Sequence, residues 1–179
     1  MHILFFTHYF PPEGNAPASR TSEHALEWVK KGHKVTIITC APNVPDGVVF
    51  KGYQNKLFQK EDYQGISVIR VWSYIAPNKG FGPRIANYVS YMLTSVMASL
   101  FIRKVDVIVA TSPQFFCGWA GVIRSFFRRQ KFILEIRDIW PESILTVGAM
   151  KKSPVITLLE KLEVIMYKAA DHIVAVGEG

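Results

Sequence analysis

Arg137 and Asp138 directly follow an apolar run, Phe132 to Ile136, inside the segment EIRDIWPES that spans Glu135 to Ser143. Charged residues released from the end of a buried strand project where open sheets collect their ligands. A carboxylate at that place can accept a hydrogen bond from a substrate hydroxyl and assist its deprotonation. Asp138 can equally pair inside the protein with Arg137 or Arg20. Trp140 and Pro141 shape the loop around them. A second segment, PPEGNAPASR from Pro11 to Arg20, sets Gly14 ahead of a helix. Glycine lets a backbone close on a ligand, and a helix N-terminus offers amide donors and positive potential, a combination suited to phosphate; the same residues also read as a plain turn. Thr111-Ser112-Pro113 brings hydroxyls to a third strand end, to serve a ligand or to cap the helix that follows. His8, immediately after the first strand, is the best placed histidine, whereas His33 and His172 read as structural.

Several chemistries lack their signatures. Gly14 is the single glycine of its loop, so the dinucleotide pattern G-x-G-x-x-G is absent. No H-x-x-x-H, G-x-S-x-G or P-loop occurs, and His8, His24, His33 and His172 form no metal-ligand spacing. Cys40 and Cys117 lie far apart and fit two buried thiols in a reducing compartment.

The elements that must position these residues alternate in type. His2 to Thr7 reads as a buried strand. Ala18 to Lys31 follows as a helix, capped by Asn15 or Ser19 and stopped by Lys30-Lys31-Gly32. Lys34 to Cys40 is the next β-branched run, and a strand, helix and strand in this order build a parallel sheet. Residues 41–65 read as irregular, broken by Pro42, Pro45, Gly47, Gly52 and Gly65. Further strands are expected at Ile66 to Trp72, Val105 to Thr111, Phe132 to Ile136 and His172 to Val176. Helices are expected at Arg84 to Arg103, Phe115 to Arg129 and Pro154 to Ala170. Six strands alternating with helices define a Rossmann-like, doubly wound α/β fold with a mostly parallel sheet. The chain stops directly after a strand, at Gly177-Glu178-Gly179, and reads as part of a longer protein.

The chain has 179 residues, enough for one core, with 49% hydrophobic and 20% charged residues, a globular composition. Its formal charge of +7 points to an anionic partner. Many of the cations stand where helices end and also suit the helix dipole. Acidic lipid is a better match for them than nucleic acid. No secretory leader opens the sequence. Ile85 to Ile102 carries no charged residue, the lower length limit of a membrane span. Asn87, Ser90 and Thr94 share one helical face that continues to Ala98, as on a helix packed against the domain; contact with a membrane surface and a true span are the other readings.

The succession FPPEGNAPASR, KKGHKVTIIT, ISVIRV, VDVIVATSP, EIRDIWPES and AADHIVAVGEG resembles the N-terminal domain of family 4 glycosyltransferases. It is most similar to the bacterial subgroup that builds capsule, colanic acid and O-antigen, fucosamine transferases included. The resemblance implies one half of a GT-B architecture, two Rossmann-like domains facing across a cleft with no divalent metal required. Residues 1–179 would be the acceptor-binding half, and the donor-binding half would lie beyond this chain, so that the isolated half is expected to be inactive. The implied reaction retains anomeric configuration, with the leaving diphosphate of a nucleotide sugar helping to deprotonate the acceptor. On that basis Asp138 is the expected catalytic residue. Arg137, His8, Glu142 and Ser112 are expected at the acceptor, and Gly14, Asn15 and Arg20 near the donor phosphates. Arg137 stands where many relatives carry histidine, which implies contact with an anionic acceptor. Such acceptors are polyprenyl-diphosphate-linked sugars, met by a cytoplasmic protein held peripherally on the inner membrane. The alternatives are a non-catalytic module binding an anion or a membrane, a GT-B nucleotide-sugar epimerase or phosphorylase, and, last, a dehydrogenase.

Overall fold

The computed structural model describes residues 1–75, 81–112, 115–138 and 154–175. Seven strands form one sheet: β1 (His2–Phe6), β2 (Lys34–Cys40), β3 (Phe58–Tyr63), β4 (Ile66–Val71), β5 (Val107–Thr111), β6 (Lys131–Ile136) and β7 (His172–Ala175). They are ordered β3-β4-β2-β1-β5-β6-β7, and every pairing is parallel except β3 with β4. The helices are α1 (Ala16–Lys30), α2 (Phe81–Leu100), α3 (Phe115–Arg128) and α4 (Pro154–Ala169). This is the expected Rossmann-like α/β class.

Strand alternation divides the core between the two faces of the sheet. Ile3 and Phe5 of β1 point to the face covered by α1, where they join Phe10, Ala25, Ile37, Val68 and Val109. Leu4 and Phe6 point to the face carrying α2, α3 and α4, with Tyr91, Ala98, Phe115, Ala120, Leu134 and Met166. Burying each of the larger side chains contributes roughly 1.5–3 kcal/mol, which holds the helices to the sheet.

Two expectations are corrected. Residues 41–65 include β3, an antiparallel edge strand returning into β4 through a turn at Gln64 and Gly65, both at positive φ. Its sequence FQKEDY has no apolar run because an edge strand exposes alternate residues. No described helix is long and apolar enough to cross a membrane, which removes the spanning reading of α2. The polar stripe of α2 does face the domain. Asn87 is buried, Ser90 Oγ accepts from the amide of Tyr74, and Thr94 Oγ1 donates to the carbonyl of Trp72.

Candidate active site at the carboxyl edge of the sheet

Strand order reverses between β1 and β5. The chain fills the sheet outward through β2 and β4, then returns through α2 to lay β5 on the other side of β1. At such a switch point, flanking connections diverge and leave a crevice above the carboxyl ends of the strands. Since β1, β5 and β6 are mutually parallel, the segments after Phe6, Thr111 and Ile136 all emerge at that edge. The Gly14 turn and the Arg137-Asp138 pair therefore share one side of the sheet.

Two contacts bring them closer. Arg20, in the second turn of α1, forms an ion pair with Glu135, the penultimate residue of β6. It thus reaches across β1 and β5 on the α1 face. Ser112 Oγ donates to the backbone carbonyl of Asp138 at 3.1 Å, and the Ser112 amide donates to the carbonyl of Glu135 at 2.8 Å. The Ser112 hydroxyl, one of the expected acceptor contacts, is buried and engaged in holding the Asp138 backbone. Asp138 itself is exposed and Arg137 half-buried. Among the described residues, Asp138 forms no ion pair with either Arg137 or Arg20. The internal pairing open to Arg20 goes to Glu135 instead.

The Gly14 loop leads into α1 with a side chain serving as cap. Asn15 has extended backbone (φ −85°, ψ 154°), and its Oδ1 accepts from the Ala18 amide at 2.9 Å. This capping starts the helix two residues earlier than expected. It also uses a helix amide that a phosphate was expected to find, and Pro17 in the same turn has no N–H to offer. The amides left to a ligand are those of Gly14, Asn15 and Ala16. Gly14 is exposed, and a Cβ built on it meets nothing within 4 Å. Its φ lies outside the left-handed region, so no contact or strain inside this domain calls for glycine.

His8, expected at the acceptor, is an inward residue. Its imidazole packs edge-on against Tyr9, Tyr88 and Tyr91, with ring centroids 5.0–5.3 Å apart, and its Nε2–H donates to Asn87 Oδ1 at 2.7 Å. Only 3% of the residue is exposed. Burial lowers its pKa to about 4, so the ring is neutral at physiological pH. The Tyr91 hydroxyl lies 2.9 Å from the carbonyl oxygens of both Thr7 and Ile38, tying α2 to the ends of β1 and β2. Glu142, Trp140 and Pro141 lie outside the described residues, as do Pro113 and the Gly177-Glu178-Gly179 end.

Sequence reasoning missed the network beneath the loop. Arg70, on β4, is 2% exposed. It donates through NH2 to the Pro11 carbonyl (2.6 Å), through NH1 to the Cys40 carbonyl (2.9 Å) and through Nε to Glu61 Oε1 (2.8 Å), and its guanidinium lies over the Tyr53 ring. Glu13 is also buried, with Oε1 accepting from the amides of Asn43 (3.0 Å) and Val44 (3.1 Å). Desolvation raises its pKa, and the two amides partly offset that rise. The loop carrying Gly14 is thus fastened from β4 on one side and from the segment after β2 on the other. The available signal was a lone arginine inside the apolar run ISVIRV.

Fold and geometry together define a Rossmann-like domain whose carboxyl edge carries Asp138, Arg137 and the Gly14 turn on a braced loop. The model of the glycosyl transferase 4-like domain matches residues 15–179, and the chain belongs to that family. It is a glycosyltransferase domain, working between a nucleotide-sugar donor and a glycan acceptor. The match holds Asn15, Arg20, Ser112, Arg137, Asp138 and Glu142; β1, His8 and Gly14 precede it. No curated protein matches the sequence.

Proposed function

We propose that the chain is the acceptor-binding half of a retaining GT-B glycosyltransferase whose donor-binding half follows it in sequence. It transfers a hexosyl or aminosugar unit to a polyprenyl-diphosphate-linked glycan at the cytoplasmic face of the inner membrane, in the synthesis of a bacterial surface polysaccharide. The observation that carries the reading is the exposed Asp138, without an ion pair among the described residues, its backbone held by Ser112 on the same sheet edge as the Gly14 turn.

In this reading Asp138 accepts a hydrogen bond from the acceptor hydroxyl and aims its oxygen at the donor's anomeric carbon. The new carbon–oxygen bond forms on the face from which the diphosphate departs, and a departing phosphate oxygen takes the hydroxyl proton. Arg137 meets the acceptor diphosphate, for which a guanidinium is the fitting partner. The open space at Gly14 leaves its amide within reach of the donor phosphates. Arg20 acts through Glu135, holding β6 and the start of α1 together. No metal enters the scheme, and nucleic acid is not a partner.

The test compares Asp138→Ala and Arg137→Ala in the full-length enzyme, following transfer to a polyprenyl-diphosphate sugar beside donor binding. Asp138→Ala is expected to lower kcat by roughly 10²-fold or more. Arg137→Ala is expected to raise the acceptor KM by about tenfold or more. Donor affinity stays near wild type in both. Unchanged transfer in both variants rules the pair out of the mechanism, and turnover of the nucleotide sugar without any acceptor favours an epimerase.

A further inference from the structure

The outward face of α2 has the wrong polarity for a helix that only covers a sheet. Its inward positions Asn87, Tyr91, Ser95, Ala98 and Ser99 are buried. The positions turned to solvent would then carry charge, yet no charged residue occurs from Ile85 to Ile102. Leu93, Met97 and Phe101, four residues apart and so in one line along the helix axis, are 56%, 64% and 82% exposed. Leu57 and Phe58, also exposed, extend the surface from the edge of the sheet. With Thr94, Met97, Ala98 and Phe101 they line an open apolar groove of about 420 Å³.

Charge surrounds this surface on one side of the scale. Arg84 is exposed in the first turn of α2, and Arg103 and Lys104 are exposed just past its end. Arg128 donates to the Leu100 carbonyl at 2.9 Å, which sets a further cation at the same end, and Lys56 adjoins Leu57. Between Tyr63 and Leu134 the sequence holds a single acidic residue, Asp106, against nine lysines and arginines. Asp106 is already occupied, accepting from the amide of His2. An uncharged apolar stripe with cations clustered at its carboxyl end and Lys56 beside it complements an anionic lipid surface, which takes the stripe between its headgroups and the cations on its phosphates.

We propose that this face of α2, with Leu57 and Phe58, is the surface on which the protein rests on an anionic bilayer, the helix lying in the membrane plane. Asn87 and Tyr91 hang the same helix on His8, Thr7 and Ile38 at the carboxyl edge of the sheet. A helix lying flat therefore brings the crevice level with the headgroups, where an acceptor carried on lipid arrives. Only that last step rests on the proposed transfer reaction. The docking surface stands on the geometry of α2.

The experiment measures sedimentation of the full chain with vesicles of phosphatidylcholine alone and of phosphatidylcholine with phosphatidylglycerol. Wild type is expected to bind the anionic vesicles at least about tenfold more tightly, with affinity falling as salt rises. Met97→Glu with Phe101→Glu is expected to abolish that binding with its melting temperature unchanged, since both side chains are exposed. Met97→Ser with Phe101→Ser weakens it without introducing charge. Arg103→Glu with Lys104→Glu removes the preference for anionic vesicles by about tenfold or more. Equal binding to both vesicle types, or wild-type binding by the Met97 and Phe101 variants, overturns the proposal. So does a dimer in solution that the same variants dissociate, because a second copy then covers the stripe. Transfer to a lipid-free acceptor, retained by all these variants, separates failure of docking from failure of the transferase reading.

Discussion

Arg20 and Glu135 show how a residue offered to a ligand by its position can be claimed by the fold. Both are charged, both sit near the carboxyl edge of the sheet, and Glu135 is buried beside its partner. Arg20→Ala leaves that carboxylate without its cation and is expected to cost about 1–3 kcal/mol. A double-mutant cycle with Glu135→Ala, read by urea unfolding, is expected to return a coupling of about 1–2 kcal/mol, and additive losses disprove the tie. His8 contributes to the pH response. Its pKa is about 4 in the folded chain and about 6.5 when unfolded. Below pH 6.5 the unfolded chain takes up the proton first, so stability falls as pH drops from about 6.5 to about 4, by roughly 3 kcal/mol in all. Above pH 6.5 this dependence vanishes. Melting temperatures of wild type and His8→Gln between pH 4 and 8 check this, the variant losing less on acidification, and the difference separates His8 from carboxylates such as Glu13. Types and rough placement of Arg137, Asp138, Gly14 and Asn15 were legible because they follow or precede periodic segments. The partners of Arg20 and His8 were not, since Glu135 and Asn87 are remote in sequence and meet them only through tertiary packing.

Among the elements, the buried strands announced themselves as short β-branched or aromatic runs, and their bounds fell within a residue or two of expectation. β3 did not, because FQKEDY alternates exposed charge with half-buried residues and pairs through one edge only. Arg70 escaped for a related reason: a charge inside ISVIRV reads as a blemish until the fold brings Pro11 and Cys40 to it. The packing of α3 yields a sharper expectation. A Cβ at Gly121 collides with the ring of Phe132, itself fully buried, and crowds the Ala110 Cβ at 3.1 Å. At Gly118 the obstacle is the sulfur end of Met166, a flexible side chain. Gly121→Ala is expected to destabilise by about 2–3 kcal/mol and Gly118→Ala by about 1 kcal/mol, measured by urea unfolding. Equal costs contradict the distinction between a fixed ring and a movable thioether.

For the molecule as a whole, class and strand count were nearly legible from alternation, but strand order was not: it is set by which crossover covers which face, and a single sequence does not carry that. The net charge was plain from the start, and its meaning changed once α2 turned its polar stripe inward and its apolar line outward. One tie has a consequence for how the domain comes apart. The Arg20–Glu135 bridge links α1, near the start of the chain, to β6, far along it. Fraying of the first helix is therefore felt by a strand laid down much later in the chain.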